Sequence, residues 1–188
     1  MARPKSYERA EVLRRATDIF ARKGFEGAHL QELVEVTGLN RFSLYKEFGG
    51  KEGLFQAALD SYLEKLAALD AHLQRDPPGL ANVRAFYAAL LEHEFPYGCL
   101  AINTIREKHV VPPRIFETIE RFTASAEKSL RRNLEAARAD GDLSPTTDVE
   151  ALAKFLTALD MGMISYGIVS PSKDGRAQIV QVLERVLS

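Results

Sequence analysis

Apolar residues recur along almost the whole chain at three- and four-residue spacing, and no segment alternates as a half-buried strand does. Val12, Leu13, Ala16, Ile19 and Phe20 form one stripe, with Ser6 placed to cap its helix and Gly24 to end it. Leu30, Leu33 and Val34 predict a short second helix and Gly38 a turn. Leu44 and Phe48 predict a short third helix that Asn40 can cap. Gly49-Gly50 breaks the chain before a long helix over about 51–75, whose stripe runs from Leu54 and Phe55 through Leu59, Leu63 and Leu66 to Leu73. Asp76-Pro77-Pro78-Gly79 stops it.

The same period predicts further helices over about 80–95, 99–109, 113–140 and 148–169, and a last one carrying Ala177, Val180, Leu183 and Leu187. The expected fold is all-α. An N-terminal three-helix domain with a helix-turn-helix (1–50) precedes a larger helical effector and dimerisation domain (51–188).

Composition narrows the class. With 188 residues, 46% of them hydrophobic, the chain can build real cores. A net charge of −1 argues against a uniformly basic nucleic-acid binder, yet the charge is uneven. Residues 1–56 hold 10 Lys/Arg against 8 Asp/Glu, and the remainder 15 against 18. One cysteine precludes an intrachain disulfide framework and fits a reducing compartment. The opening MARPKSYERAEV lacks an apolar signal core, and the longest apolar run, near Met161–Val169, is expected to be too short for a bilayer. A cytoplasmic protein without a membrane partner is expected.

Gly24 to Gln56 carries the functional signal. A helix–Gly–helix unit presents the N-terminal residues of its second helix to base edges. Here these are Asn40, Arg41, Phe42 and Ser43. Arg41 can fork onto a guanine or grip a phosphate, and Ser43 can bond either. Phe42 can touch a thymine methyl or fold back onto its domain. Tyr45 and Lys46 follow on the exposed side, and Lys51 opens the long helix, where an anion is favoured. Arg3 and Lys5 can add phosphate contacts.

Gly24-Phe25, Gly38-Leu39, Leu44-Tyr45, Phe48 and Lys51-Glu52-Gly53-Leu54-Phe55 together resemble the DNA-binding region of the tetracycline-repressor (TetR) family. The resemblance places Tyr45 and Lys51 at phosphate-contacting positions. It implies a homodimer on a double-stranded, palindromic DNA operator and an unidentified small-molecule effector bound in the helical bundle. Two positions depart from the family pattern. Phe42 stands where a small residue is usual. Ala28-His29 stands where a Thr often caps helix two, leaving His29 as a partial substitute for the lost hydroxyl contact.

Catalysis is poorly supported, and no catalytic residue, metal or cofactor is expected. The chain has a single Glu-x-x-His pair, Glu26 and His29, where a di-iron bundle needs two. It has no His-Glu-x-x-His, no Gly-x-Ser-x-Gly and no phosphate-cradling glycine loop. Glu92-His93-Glu94 is either a solvated helix end or a ligand contact. Cys99, at an expected helix start, is either a small buried hydrophobe or a thiol activated by the helix end. Pockets form between bundle helices. The candidates to line one are Phe86, Tyr87, Leu90, Tyr97, Cys99, Asn103, Phe116, Ile119 and Phe122, among ordinary core residues. The helices over 113–140 and 148–169 are expected to pair with their copies, Gly162 and Gly167 permitting close approach.

The expected function is ligand-responsive repression of transcription. Two alternatives remain open at this stage: an architectural DNA-binding protein without inducer, and a helical adaptor or enzyme that has lost DNA binding.

Overall fold

The computed structural model describes residues 7–187. Among them it contains α1 (Arg9–Gly27), α2 (Leu30–Thr37), α3 (Arg41–Phe48), α4 (Lys51–Asp70), α5 (Leu80–Glu92), α6 (Leu100–Ile105), α7 (Pro113–Asp140), α8 (Val149–Val169) and α9 (Lys173–Val186). Ser6, Arg3 and Lys5 lie outside the described residues. The chain folds as two compact units.

Unit one joins the described residues up to Lys65 to Cys99–Ile119. Gly24 adopts φ 74°, so regular helix ends there and Phe25 turns into the core. Gly38 closes α2 in the left-handed region at φ 70°, its N–H donating to the Val34 carbonyl, a conformation that a side chain would strain. Phe20, Leu33, Leu44, Leu54, Phe55 and Leu59 are fully buried, as are Leu100 and Ile115. The Phe55 ring meets Phe20 edge-on at 4.6 Å and Phe25 at 5.2 Å. A division at Gly50 therefore runs through a shared core, because the first half of α4 covers α1.

Unit two joins Leu66–Gly98 to 120–187. Its core gathers Leu73, Val83, Tyr87, Leu130, Leu134, Leu156 and Leu183. Asn133, with no exposure, ties its own helix to the chain after α4 and to the start of α5. Its amide donates to the Leu73 and Ser129 carbonyls, and its carbonyl accepts from Gly79 N and Asn82 Nδ2. A buried amide with four polar sites is thereby satisfied.

Two helices are shorter than their apolar stripes. α4 ends at Asp70, and the chain reaches Leu73 through tight turns in which His72 and Leu73 donate to Leu69 and Asp70. α6 ends at Ile105, after which Glu107, Lys108 and Val110 each donate to the carbonyl three residues back. Both ends tighten from four-residue to three-residue bonding, which apolar spacing does not report.

α7 turns its stripe inward: Leu130, Leu134 and Ala137 are fully buried, and no large exposed hydrophobic residue lies on it. The exposed apolar side chains of the last three helices lie on α8 (Phe155, Tyr166, Ile168, Val169) and α9 (Val182, Val186). α8 is 21 residues long, and by length and composition it is apolar enough to cross a membrane. A helix of a protein that never meets a membrane passes the same test, so the expectation drawn from the shorter Met161–Val169 run stands. The charged neighbours that cut the run short in sequence are few enough for the whole helix to stay apolar.

Candidate nucleic-acid interface

α3 stands on one buried residue. Leu44 has no exposure, while Arg41, Phe42, Tyr45 and Lys46 around it are exposed. Asn40 caps the helix, its Oδ1 accepting the Ser43 N–H at 2.8 Å. The cap uses the Asn40 side-chain carbonyl, and the residue is exposed. Ser43 is half-buried beneath it. Arg41 makes no ion pair among the described residues, so its guanidinium fork is open to a ligand. Phe42, at 75% exposure, does not fold back onto the domain. The Tyr45 ring lies against Gly50, where an added Cβ would stand 3.2 Å from it.

α2 is fixed on α1 by the Lys23–Glu32 ion pair at 2.7 Å and by Arg15 donating to the Val36 carbonyl at 3.1 Å. His29 is the exposed N-cap of α2 and makes no capping bond, while Ala28 beside it is fully buried. Lys51 is half-buried and reaches back to the α1–α2 turn. Its Nζ donates to the Glu26 carbonyl at 3.2 Å and sits 4.7 Å from the Phe25 ring centre. Burial lowers its pKa, opposed by the charges of Glu107 and Glu26.

Two residues outside the helix-turn-helix brace α1 and the turn that follows it. Glu107 accepts the backbone N–H groups of Phe25 and Glu26, and the Asn103 amide donates to the Ala21 carbonyl at 3.0 Å. Sequence reading placed Asn103 on a ligand and did not single out Glu107. Neither is marked by its neighbours, because their partners are backbone atoms some 80 positions away.

The expected cavity residues divide between the two units. Phe86, Tyr87 and Leu90 are buried in the core of unit two, Phe122 is half-buried on α7, and Tyr97 is 44% exposed. Cys99, Asn103, Phe116 and Ile119 belong to unit one, where the Lys108 ammonium lies 4.3 Å from the Phe116 ring centre. Cys99 caps α6 and is buried. Burial raises its thiol pKa, and this outweighs the Tyr62 hydroxyl and the helix amides of Ile102 and Ala101, which favour the thiolate. In Glu92-His93-Glu94, Glu92 pairs with Lys173 at 2.7 Å, and burial lowers the pKa of His93. Among the described residues, no group of three or more His, Cys, Asp or Glu is placed to hold a metal ion.

A capped helix over a buried leucine, carrying an open arginine and an exposed aromatic pair, defines a helix-turn-helix DNA-binding regulator. Residues 12–58 match the bacterial regulatory proteins of the tetR family, and residues 79–182 match the tetracyclin repressor-like C-terminal domain. The chain belongs to the TetR family of transcriptional regulators, a family of regulators rather than enzymes. It is 35% identical over 167 residues to the HTH-type transcriptional repressor ComR of Escherichia coli, covering 86% of this chain and 80% of that one. It is 32% identical along the full length of both chains to the uncharacterized HTH-type transcriptional regulator YezE of Bacillus subtilis. Among solved structures, a cysteine mutant of the TetR-family regulator CifR, complexed with 26-base-pair double-strand operator DNA, is similar at TM-score 0.78 and 30% identity, covering 99% of this chain and 98% of that one.

Proposed function

We propose that the protein is a homodimeric repressor that holds a palindromic operator and leaves it when a small-molecule effector binds. The observation that carries this reading is the N-terminal end of α3. Arg41 and Phe42 project there with no partner to give up, while the Asn40 cap and buried Leu44 hold the helix in place. Residues 1–50 would read the DNA, with the first half of α4 as their floor. Asn40, Arg41, Phe42 and Ser43 would face bases. His29, Tyr45, Lys46 and Lys51 would hold phosphates, Lys51 through the donors not given to Glu26. The operator lies in the cytoplasm, and we place the protein there.

Dimerisation is assigned to α8 and α9 rather than to α7 and α8. Phe155, Gly162 and Val169 repeat every seven residues on one exposed side of α8, and Val182 and Val186 share a side of α9. Gly162 has open space where a Cβ would stand, which suits close approach by a copy. Gly167, expected to serve the same contact, instead abuts Arg176 of its own chain. A two-fold dimer of this kind sets two recognition helices roughly 34–36 Å apart, one DNA turn. The effector must favour a dimer in which that spacing is lost.

Sequencing genomic fragments retained by the purified protein tests this reading. An inverted repeat with half-sites about one turn apart is expected. Retention of DNA without sequence preference would favour an architectural role, and no retention at low salt would favour an adaptor.

A further inference from the structure

A cleft of about 280 Å³ opens in unit two between the chain after α5 and the facing ends of α8 and α9. Phe95, Pro96, Ile164, Ile168 and Pro171 make apolar walls, and Arg176 of α9 supplies a cation. Arg176 is only 8% exposed. Its Nε is buried without a hydrogen-bond partner, its Nη1 reaches the His93 carbonyl only at 3.5 Å, and it forms no ion pair among the described residues. The Arg176 side chain packs beside Gly167 of α8, where a Cβ would make ordinary contact with it at 3.4–3.6 Å.

The nearby charges do not neutralise it. Glu92 spends its carboxylate on Lys173 at 2.7 Å, and Glu94 is an exposed, solvated residue of the cleft. Glu92 feels the Arg176 charge only from a distance, so the buried cation has no contacting counter-charge, and its fork of donors meets a single long hydrogen bond. An anion on the accessible part of the guanidinium reduces both costs. Pockets for drug-sized ligands span roughly 300–1,000 Å³, so this one suits a smaller apolar body. The lining positions Ile164, Gly167 and Ile168 lie on the side of α8 turned away from the Phe155–Gly162–Val169 stripe, so a copy seated on that stripe leaves the cleft free.

We propose that this cleft binds a small apolar monoanion, a medium-chain or aromatic carboxylate, whose head group pairs with Arg176 while its body lies on Phe95, Ile164 and Ile168. The Glu94 carboxylate selects against a second negative charge. Binding stands on the cleft alone; only its effect on DNA rests on the effector reading above.

The test is titration of the full-length protein with octanoate, octanol and octylamine, followed by calorimetry and by the Arg Nε–H and Gly167 amide resonances. Octanoate should bind saturably, at least ten-fold tighter than the other two, and move the Arg176 Nε–H signal. Arg176→Gln should erase the preference for octanoate, and Arg176→Lys should retain part of it, with thermal melting confirming that both variants fold. Equal binding of octanoate and octanol to the parent protein, or an unmoved Arg176 signal, overturns the proposal without recourse to any variant. A separate operator titration distinguishes the two readings. Octanoate that binds without loosening DNA leaves the cleft assigned and removes it as the effector site.

Discussion

The carboxylate of Glu107 accepts the backbone N–H of Phe25 at 2.7 Å and that of Glu26 at 3.0 Å, bridging the segment after α6 to the turn that enters α2. Two amides left open where α1 stops at Gly24 thus find a charged acceptor. Glu107→Ala should destabilise the protein by about 1–3 kcal/mol. Hydrogen exchange at Phe25 and Glu26 should quicken before exchange in α3 does. Unchanged exchange at these two amides would show that the clamp does not hold the turn.

Arg41→Ala should weaken operator binding by about 1–3 kcal/mol and relax discrimination at one base pair of each half-site. Competition against singly substituted operators checks this. An equal loss on every sequence would make Arg41 a phosphate contact. Lys51→Ala should weaken all sequences alike and make the salt dependence shallower by about one charge. A small loss of stability should accompany it, because Lys51 also bonds Glu26.

Val182→Glu on α9 and Phe155→Glu on α8 should each yield folded monomers in sedimentation and abolish operator binding at concentrations where the parent is saturated. A charge on the exposed face of α7, such as Ser125→Glu, should leave assembly unchanged. The reverse pattern would return the interface to α7.

Tyr87 donates its single proton to the Leu156 carbonyl at 3.0 Å, and the adjacent Asp160 keeps one buried oxygen without a partner. Burial pushes the Asp160 carboxyl up to about 8; the Tyr87 hydroxyl opposes this, and Asp70, itself raised to about 6 by burial, adds to it. A pKa raised by folding means that the folded state holds the proton more tightly, so the stability contributed by Asp160 is full at low pH and is lost as pH rises through about 8. Urea unfolding should show a loss of roughly 1–3 kcal/mol between pH 5 and pH 8. Asp160→Asn should flatten that slope. A parent-minus-variant difference that does not shrink from pH 5 to pH 8 would refute a protonated Asp160.

Cys99 should label slowly in the native protein and rapidly once unfolded, because burial keeps its thiol protonated. Cys99→Ser should therefore bind and release the operator as the parent does. Fast native labelling coupled to operator release would instead make the cysteine a sensor.

The helix-turn-helix was readable because its rules are local. Gly38, the Asn40 cap and the Leu44 spacing each act within a few residues, and the structure uses all three as their chemistry predicts. Phe42 was open between two fates, and only the fold leaves it outward. Interface and cavity assignments were far less legible. An apolar stripe has the same period whether it meets its own core or a second copy, so the spacing alone does not separate α7, buried in its own unit, from α9, whose Val182 and Val186 are exposed. Asn103 and Glu107 bond backbone atoms distant in sequence, which no spacing rule can register. Nothing in the sequence sets Arg176 apart from the other charges of its helix, and it is the fold that buries it beside Gly167.

The exposed side of α8 bears on how the stability of this protein can be measured at all. If that side is covered only by a second copy, association and folding are one equilibrium. The melting midpoint then climbs with protein concentration, and dilution acts as a denaturant. A Tm quoted without a protomer concentration would describe the sample rather than the chain. Substitutions at Phe155 or Val182 would look harmless in concentrated solution and severe at the scarcity in which a regulator with few target sites can work.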